Sequence, residues 1–311
     1  MSKTLRERSF ESDEPVRVSI CCITFNHSDY IEKCLEGFLE QECDFRVEIM
    51  IYDDASTDGT ADIIREYAAR HPTIFRTFLQ SENQYSKGVN PYYAYVFPAT
   101  KGEYIAICDG DDFWSDPVKL ATQVSVLDSE PETAITYGPV RAITDKGVIE
   151  DFHNGNERDL SPEELKAASP IATLTVCFRN IFRDTPPPVF LRNSPIGDLT
   201  VWGILGYHGS ARYLANLPKA NYRLHSGGVL SMKSRKVQYF MTALAHFNLA
   251  AYHSEQGDET ASRKSMQSGV EFCNGAGETL FLDTEAFKTK SLWGLWRYRN
   301  RLRRVKKVPT K

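Results

Sequence analysis

The sequence predicts an α/β domain built on a mostly parallel central sheet, with a helical extension at its C-terminal end. Three observations lead there. Strand-like and helix-like segments alternate through the first eighty residues. Three apolar runs end abruptly in polar turns, at Asn26, at Asp53 and at Asp109. From about residue 232 the pattern changes to helical periodicity alone. Strand, helix, strand in succession implies parallel pairing with right-handed crossovers. Such sheets bind ligands outside the carboxyl ends of their strands, so the three polar turns should gather along one edge.

The elements follow in order. Residues 1–15 are polar and read as a flexible N-terminus. Val16 to Phe25 is β-rich and is the first strand; Ser28 or Asp29 can cap a helix whose apolar positions Ile31, Leu35, Phe38 and Leu39 recur at helical spacing. Val47 to Tyr52 is the second strand, running into Asp53-Asp54-Ala55-Ser56-Thr57-Asp58-Gly59-Thr60. Ile63, Ile64, Tyr67 and Ala68 form the buried stripe of the next helix, which Pro72 stops. Phe75 to Leu79 is the third strand. Asn83 to Ala99 is polar and aromatic, its second half helical. Tyr104 to Cys108 is a buried strand ending in acids, and Asp116-Pro117 opens a helix to about Asp128. Ala134 to Tyr137 and Arg141 to Thr144 are short strands flanking a turn. Residues 145–170 form a surface excursion with a capping box at Ser161-Pro162-Glu163-Glu164. Ile171 to Phe178 is a further strand, Leu199 to Tyr207 a buried helix, and Asn221 to His225 a last strand. Val237 to Tyr252 and Glu259 to Phe272 are helices, packed on the sheet or forming a small separate unit.

At 311 residues and 41% hydrophobic, the chain can bury a full core as one large domain or a domain with an appendage. The net charge of -4 hides an asymmetry: residues 291–311 carry eight Lys or Arg and no acid, so the rest of the chain is acidic by twelve. Seven cysteines without a CxxC pair read as buried reduced thiols of a cytosolic compartment, and no His and Cys cluster at zinc spacing exists. The first twenty residues hold no apolar signal core, and no run reaches the eighteen apolar residues of a membrane span.

Asp109-Gly110-Asp111-Asp112 packs three carboxylates at the end of a buried strand. They repel one another unless a cation lies among them, and Mg²⁺ or Mn²⁺ is held by one or two carboxylates while substrate phosphates complete the shell. The alternative is an Asx turn with Gly110 at its tip.

Ile23-Thr24-Phe25-Asn26-His27, Asp53 to Thr60, and Gly102-Glu103-Tyr104-Ile105 leading to Asp109-Gly110-Asp111-Asp112, in this order and spacing, closely resemble the family 2 glycosyltransferases. Their A-type fold is a single nucleotide-binding, Rossmann-like α/β domain. The similarity is strong over residues 17–130, and Gly197-Asp198 and Tyr222-Arg223-Leu224-His225 extend it to about 231. It implies a glycosyltransferase domain at 16–231, with a donor half (16–115) and an acceptor half (116–231), followed by a helical extension (232–290) and a basic aromatic tail (291–311).

The resemblance assigns roles. Thr24, Asn26, Asp53 and Asp54 are implied in base and ribose binding, while Ser56 or Asp58 caps the following helix. Asn83 and Lys87 stand where the family has a diphosphate or ribose contact, although Gln84 and Lys87 replace its usual Gly and Arg. Asp111 and Asp112 are implied to approach ribose and the divalent cation, Mn²⁺ or Mg²⁺, with Asp109 structural or a ribose contact and His225 adding an imidazole to the metal or diphosphate. Asp198 is implied as the base that takes the proton of the acceptor hydroxyl, in one inverting displacement; its competing role is to cap the helix behind it. Trp114 is expected to touch sugar, and Arg223 and Trp202 to lie on the acceptor side, although a tryptophan in an apolar helix more often fills the core.

The expected activity is therefore metal-dependent transfer of a sugar from a nucleotide diphosphate sugar, a UDP-sugar favoured, to a glycan or lipid-linked glycan in surface polysaccharide synthesis. The rivals are a nucleotidyltransferase, for which Thr24 to Tyr30 lacks the glycine-rich basic loop, and a nucleotide-sugar-binding protein without turnover. In the tail, Trp293 and Trp296 interleave with arginines, which suits peripheral contact with an anionic membrane better than a solvated helix or nucleic acid. The oligomeric state leaves no mark in the sequence.

Overall fold

The computed structural model describes residues 3–11, 13–225, 227–228 and 233–275. The chain runs β1 (Val16–Thr24), α1 (Ile31–Leu39), β2 (Arg46–Asp53), α2 (Thr60–Arg70), β3 (Phe75–Leu79), β4 (Tyr104–Ile107), α3 (Lys119–Ser129), β5 (Thr133–Tyr137), β6 (Val140–Thr144), β7 (Gly147–Ile149), α4 (Pro162–Lys166), β8 (Cys177–Arg179), α5 (Gly197–Leu205), β9 (Ser210–Tyr213), β10 (Ala220–Arg223), α6 (Arg235–Glu255) and α7 (Glu259–Gly275). Seven strands form one sheet in the order β3-β2-β1-β4-β8-β5-β9, and β10-β6-β7 form a small second one. In the large sheet β8 is the strand that runs against its neighbours, so the sheet is mostly parallel.

Both faces of the central strands of this sheet are covered, which is why β1, β2 and β4 read as near-continuous apolar runs. Alternate residues of β1 serve opposite cores. Val18, Ile20 and Cys22 pack with Leu35, Phe38, Ile64 and Leu120 of α1, α2 and α3. Cys21 faces the other way, with Met50, Ile105 and residues of α5 and α6 such as Trp202 and Leu249. Added to Gly203, a Cβ would stand 2.5 Å from Leu249, so α6 presses directly on α5. The helical extension is therefore a hairpin built into the second core.

The carboxyl ends of β1, β2 and β4 lie together. Thr24 pairs with Asp53 and Asp53 with Leu79, while the Gly110 N–H bonds the Ile23 carbonyl at 2.9 Å.

Several expectations give way to tertiary packing. The N-terminal segment is docked rather than loose: Leu5 is fully buried and its N–H reaches the Gln41 carbonyl at 2.9 Å. Tyr30, not Ser28 or Asp29, precedes α1, and the Ser28 N–H instead bonds the Asp58 carboxylate at 2.9 Å. Asp116-Pro117 stands before α3, which starts at Lys119; Asp116 accepts the Val118 N–H at 3.2 Å. Residues 83–99 form a 3-10 turn (Tyr85–Lys87), a π-helical turn (Tyr92–Val96) and a second 3-10 turn (Phe97–Ala99). Flanking one turn as expected, β5 and β6 nevertheless belong to different sheets. The 145–170 excursion carries the expected capping box at Ser161, yet buries Leu160 and Leu165. Among the described residues no helix is long and apolar enough to cross a membrane. The basic tail, 291–311, lies outside the described residues.

Candidate active site

The loop after β1 and the loop after β2 are stitched to each other. Asn26 takes the left-handed conformation (φ 55°) that asparagine tolerates. Its N–H donates to Ser56 Oγ at 2.8 Å, and its Oδ1 accepts the Thr57 N–H at 2.9 Å. The His27 N–H donates to Thr60 Oγ1 at 2.9 Å. Burial pushes the Asp58 carboxyl up, but hydrogen bonds from Thr60 and Ser28 outweigh it and hold the group well below the usual carboxylate range. The stitch leaves Phe25, 42% exposed, at the sheet edge and Thr24 Oγ1 buried without a partner.

Most of the acids at this edge hold backbone rather than face outward. Asp53 accepts the Ser56 N–H at 3.0 Å and the Ser56 hydroxyl. Asp54 accepts the Gln84 N–H at 2.7 Å, the Tyr85 N–H at 3.0 Å and the Tyr52 hydroxyl at 3.1 Å. Asn83 Oδ1 accepts the Ser86 N–H at 2.7 Å, closing the same segment. Lys87 pairs with Glu82 on the exposed surface.

Gly110 lets the acidic loop lie against β1, since a Cβ there would be 2.8 Å from Thr24. Asp109 accepts the Tyr92 hydroxyl at 2.5 Å; burial, with the charge of Asp111 next, pushes its pKa up to about 7. Asp112, 6% exposed, turns away from the edge: its Oδ1 accepts the Arg223 N–H of β10 at 2.7 Å. Burial, then Asp111, pushes the Asp112 carboxyl well up. Phe113 bridges to Asn221 on the same strand, so β10 straps the whole loop. Arg223 reinforces the strap, with Nε donating to the Asp111 carbonyl at 2.9 Å and its guanidinium against the rings of Tyr30 (4.8 Å) and Phe113 (5.4 Å).

Asp111 is the carboxylate that faces outward. Its Oδ2 is 2.9 Å from His225 Nε2 and 3.8 Å from His27 Nε2, and the three donor atoms lie within 4.8 Å of one another. Burial pushes Asp111 up, but the His225 hydrogen bond and the neighbouring imidazoles outweigh it and bring its pKa below the ordinary value. His225 Nδ1 accepts the Gly227 N–H at 3.1 Å, which places the ring hydrogen on Nε2, toward Asp111. His27 and His225 meet edge to face at 5.8 Å, and Tyr30 lies 4.7 Å from His225.

Asp198 sits in the first turn of α5 with Ile196, not Asp198, at the cap. Its Oδ1 accepts its neighbour's N–H (Leu199) at 2.7 Å and its Oδ2 the Thr173 hydroxyl at 2.5 Å. It is near enough to Asp109 for its charge to help raise that group. One expectation is corrected by packing. Trp114, 2% exposed, donates Nε1–H to the Leu174 carbonyl at 2.7 Å and packs on Phe38, so it cannot touch sugar. Trp202, 1% exposed, lies against Phe178 in the core. Arg223 is likewise a strut of the acidic loop. Missed in the sequence were His27, which reads there as half of a turn pair, along with Phe25, Tyr92 and Thr173. A groove of about 770 Å³ between the α1–β2 connection and α3, lined by Glu42, Phe45, Ala121 and Asp128, contains none of these groups.

Comparison with known proteins bears on the family and the fold. The Glycosyl transferase family 2 model matches residues 19–185. Uncharacterized protein Rv1520 of Mycobacterium tuberculosis is 40% identical over 218 residues, 68% of this chain and 60% of that protein, so the match spans three-fifths of the relative's length. The Escherichia coli UDP-Glc:alpha-D-GlcNAc-diphosphoundecaprenol beta-1,3-glucosyltransferase WfaP is 25% identical over 238 residues, 76% of this chain and 88% of that one. In fold, the chain is similar to the mannosyltransferase PcManGT of Pyrobaculum calidifontis, solved with GDP-Man and Mn²⁺ (TM-score 0.54, 17% identity, covering 90% of this chain and 82% of the other).

Proposed function

The chain belongs to the family 2 glycosyltransferases, and from that premise we propose that it moves a sugar from a nucleotide diphosphate sugar to a glycan or lipid-linked glycan hydroxyl, with inversion, in surface polysaccharide synthesis. The observation that carries the reading is the sheet edge itself. There His27, Asp111 and His225 converge at the carboxyl ends of β1 and β4, and Asp198 approaches the same acidic loop from α5. A UDP-sugar is favoured, in keeping with the donor in WfaP's name.

Each group has a part. Phe25 offers an exposed ring for the base to stack on, beside Thr24 and Asn26. Asp53, Asp54 and Asn83 shape the base and ribose wall by holding its backbone, and Asp109 with Tyr92 forms the wall toward the sugar. Lys87 contributes to the donor side only by leaving Glu82. Asp111 and His225 are suited to hold a divalent cation, since carboxylate and imidazole are both accepted by Mn²⁺. Asp112, turned to β10, supports them from behind. When bound, the cation neutralises charge developing on the diphosphate leaving group.

Asp198 then acts as general base. Both of its oxygens already accept one hydrogen bond, which fixes the carboxylate's direction and leaves a second lone pair on each for the acceptor proton. As the proton passes to Asp198, the acceptor oxygen attacks the anomeric carbon from the face opposite the diphosphate. The anomeric C–O bond breaks with its electrons on the nucleoside diphosphate, and one displacement inverts the centre. The test separates binding from turnover. In calorimetry Asp198→Asn should bind UDP as the parent does, while transfer falls about 10²- to 10⁴-fold; normal transfer by that variant removes Asp198 as base.

A further inference from the structure

The reading above needs only Asp111 and His225 for the cation, yet a third donor stands ready. We propose that His27 completes a three-sided site of two imidazoles and one carboxylate. This site captures a divalent cation before any nucleotide arrives, and it prefers Mn²⁺ or a later transition ion to Mg²⁺. The inference rests on the proposed cation-assisted reaction and adds to it an order of binding and an ion preference.

The three donors come from three separate places in the fold: the turn after β1, the loop after β4, and the segment after β10. No sequence-local turn brings them together, so their convergence is a tertiary feature. Bonds of about 2.0–2.1 Å at right angles place neighbouring donor atoms about 2.9 Å apart. The 2.9 Å separation of Asp111 Oδ2 from His225 matches that arrangement, the 3.8 Å separation from His27 is wider, and all three atoms lie inside 4.8 Å. A cation entering here replaces the hydrogen on His225 Nε2 and draws His27 inward toward Asp111.

A simple hydrogen-bonded clasp accounts for His225 but not for His27. At 3.8 Å its Nε2 is too far from Asp111 for a hydrogen bond. Its Nδ1 is buried without a partner among the described residues. The side chain nevertheless has a fixed place, because its own N–H is tied to Thr60 Oγ1 and its ring is held between those of Tyr30 (6.1 Å) and His225 (5.8 Å). Arg223 and Asp112 hold the opposite donor, Asp111, from behind. The imidazole is thus positioned by its surroundings and faces the carboxylate without bonding to it.

Donor chemistry then sets the ion. Mg²⁺ favours an all-oxygen shell rich in water, whereas imidazole nitrogen suits the transition metals and Mn²⁺ accepts both. Three protein donors on one side fill about half of an octahedral shell and leave the outward half for diphosphate oxygens. A site with that many fixed donors holds its ion without the nucleotide; one with a single carboxylate does not.

The test is made on the full chain, stripped of metal and free of nucleotide. Calorimetric titration with Mn²⁺ should saturate at one ion per chain, with Mg²⁺ bound at least about tenfold more weakly. Pulsed EPR of the Mn²⁺ form should show nitrogen couplings from two imidazoles. For His27→Ala, nucleotide-free affinity should fall on the order of 10- to 100-fold and one nitrogen coupling should vanish, while binding in the presence of UDP persists through Asp111, His225 and the diphosphate. A single imidazole coupling in the parent protein overturns the proposal without recourse to any variant, as does unchanged nucleotide-free affinity in a folded His27→Ala protein. Asp111→Asn probes the underlying reading separately. If that variant still binds Mn²⁺ with UDP as the parent does, the cation arrangement of the proposed reaction falls, whatever His27 shows.

Discussion

Exchanging the roles of two adjacent aspartates is the sharpest test of the site. Asp111 faces the edge, and Asp112 faces β10 with its Oδ1 2.7 Å from the Arg223 N–H. Asp112→Asn keeps an oxygen acceptor at that place and removes a carboxyl that burial and Asp111 both push toward protonation. Its stability should stay within about 1 kcal/mol of the parent or rise. Asp112→Ala instead leaves a buried N–H unpaired, at about 1–3 kcal/mol, which lowers the melting temperature by roughly 2–5 °C in a chain of this size. The assay is thermal unfolding with and without Mn²⁺. At a concentration about 100 times Kd the ion should stabilise the parent by about 2.7 kcal/mol, or roughly 4 °C. Asp112→Asn should keep this rise and Asp111→Asn should lose it. The reverse pattern, with Asp112→Asn blind to Mn²⁺ and Asp111→Asn responsive, would refute the assignment of the outward carboxylate.

Two further expectations concern residues away from the cation. Trp114→Phe removes the donor that satisfies the Leu174 carbonyl, so it should cost about 1–3 kcal/mol and leave the acceptor KM unchanged; a raised acceptor KM at parental stability would restore Trp114 to the sugar site. His246 is buried on α6 against Phe272, its Nδ1 without a partner among the described residues, and burial lowers its pKa to about 4. Between that value and the ordinary 6.5 or so, the unfolded chain binds a proton that the folded chain does not, so stability is full above this window and is lost as pH falls through it. At pH 5 the loss should be about 2 kcal/mol, and His246→Phe should flatten the acid limb of the melting curve while keeping the ring contact. An unchanged acid limb in that variant would show that another group controls it.

The sheet was legible wherever a strand is buried on both faces, because burial writes a long apolar run. β1, β2 and β4 all show it. It was illegible where pairing, not composition, makes the strand: β9 (Ser210–Tyr213) has no apolar run, and β7 is exposed along its length. The same limit explains β5 and β6, which local signals cannot assign to different sheets. Within the site, sequence identified the edge but not the direction of its side chains. Adjacent residues of a loop point opposite ways, and only the docking of β10 decides that Asp112 turns inward and Asp111 outward. His27 was hidden for a related reason. Asn26 explains the turn so completely that its neighbour carries no local signal, and its partners are remote in the chain.

The acids of this edge divide by what neutralises them. Asp54, Asp58 and Asp112 each accept backbone N–H groups from another segment, and Asp53 accepts one within its own turn. Crowded carboxylates tolerate one another there because every one is hydrogen-bonded into a rigid rim. Asp111 and Asp109 instead take side-chain partners from remote elements, namely His225 and Tyr92. Side-chain partners can rotate aside for a ligand, whereas backbone partners cannot move without the sheet edge. Removing the acceptor in the first group, as Asp112→Ala does, should therefore lower stability and activity together. At Asp111, stability without metal should hold while ion binding and transfer fail, so comparing melting temperature with transfer rate sorts rim from reactive group without knowledge of the acceptor.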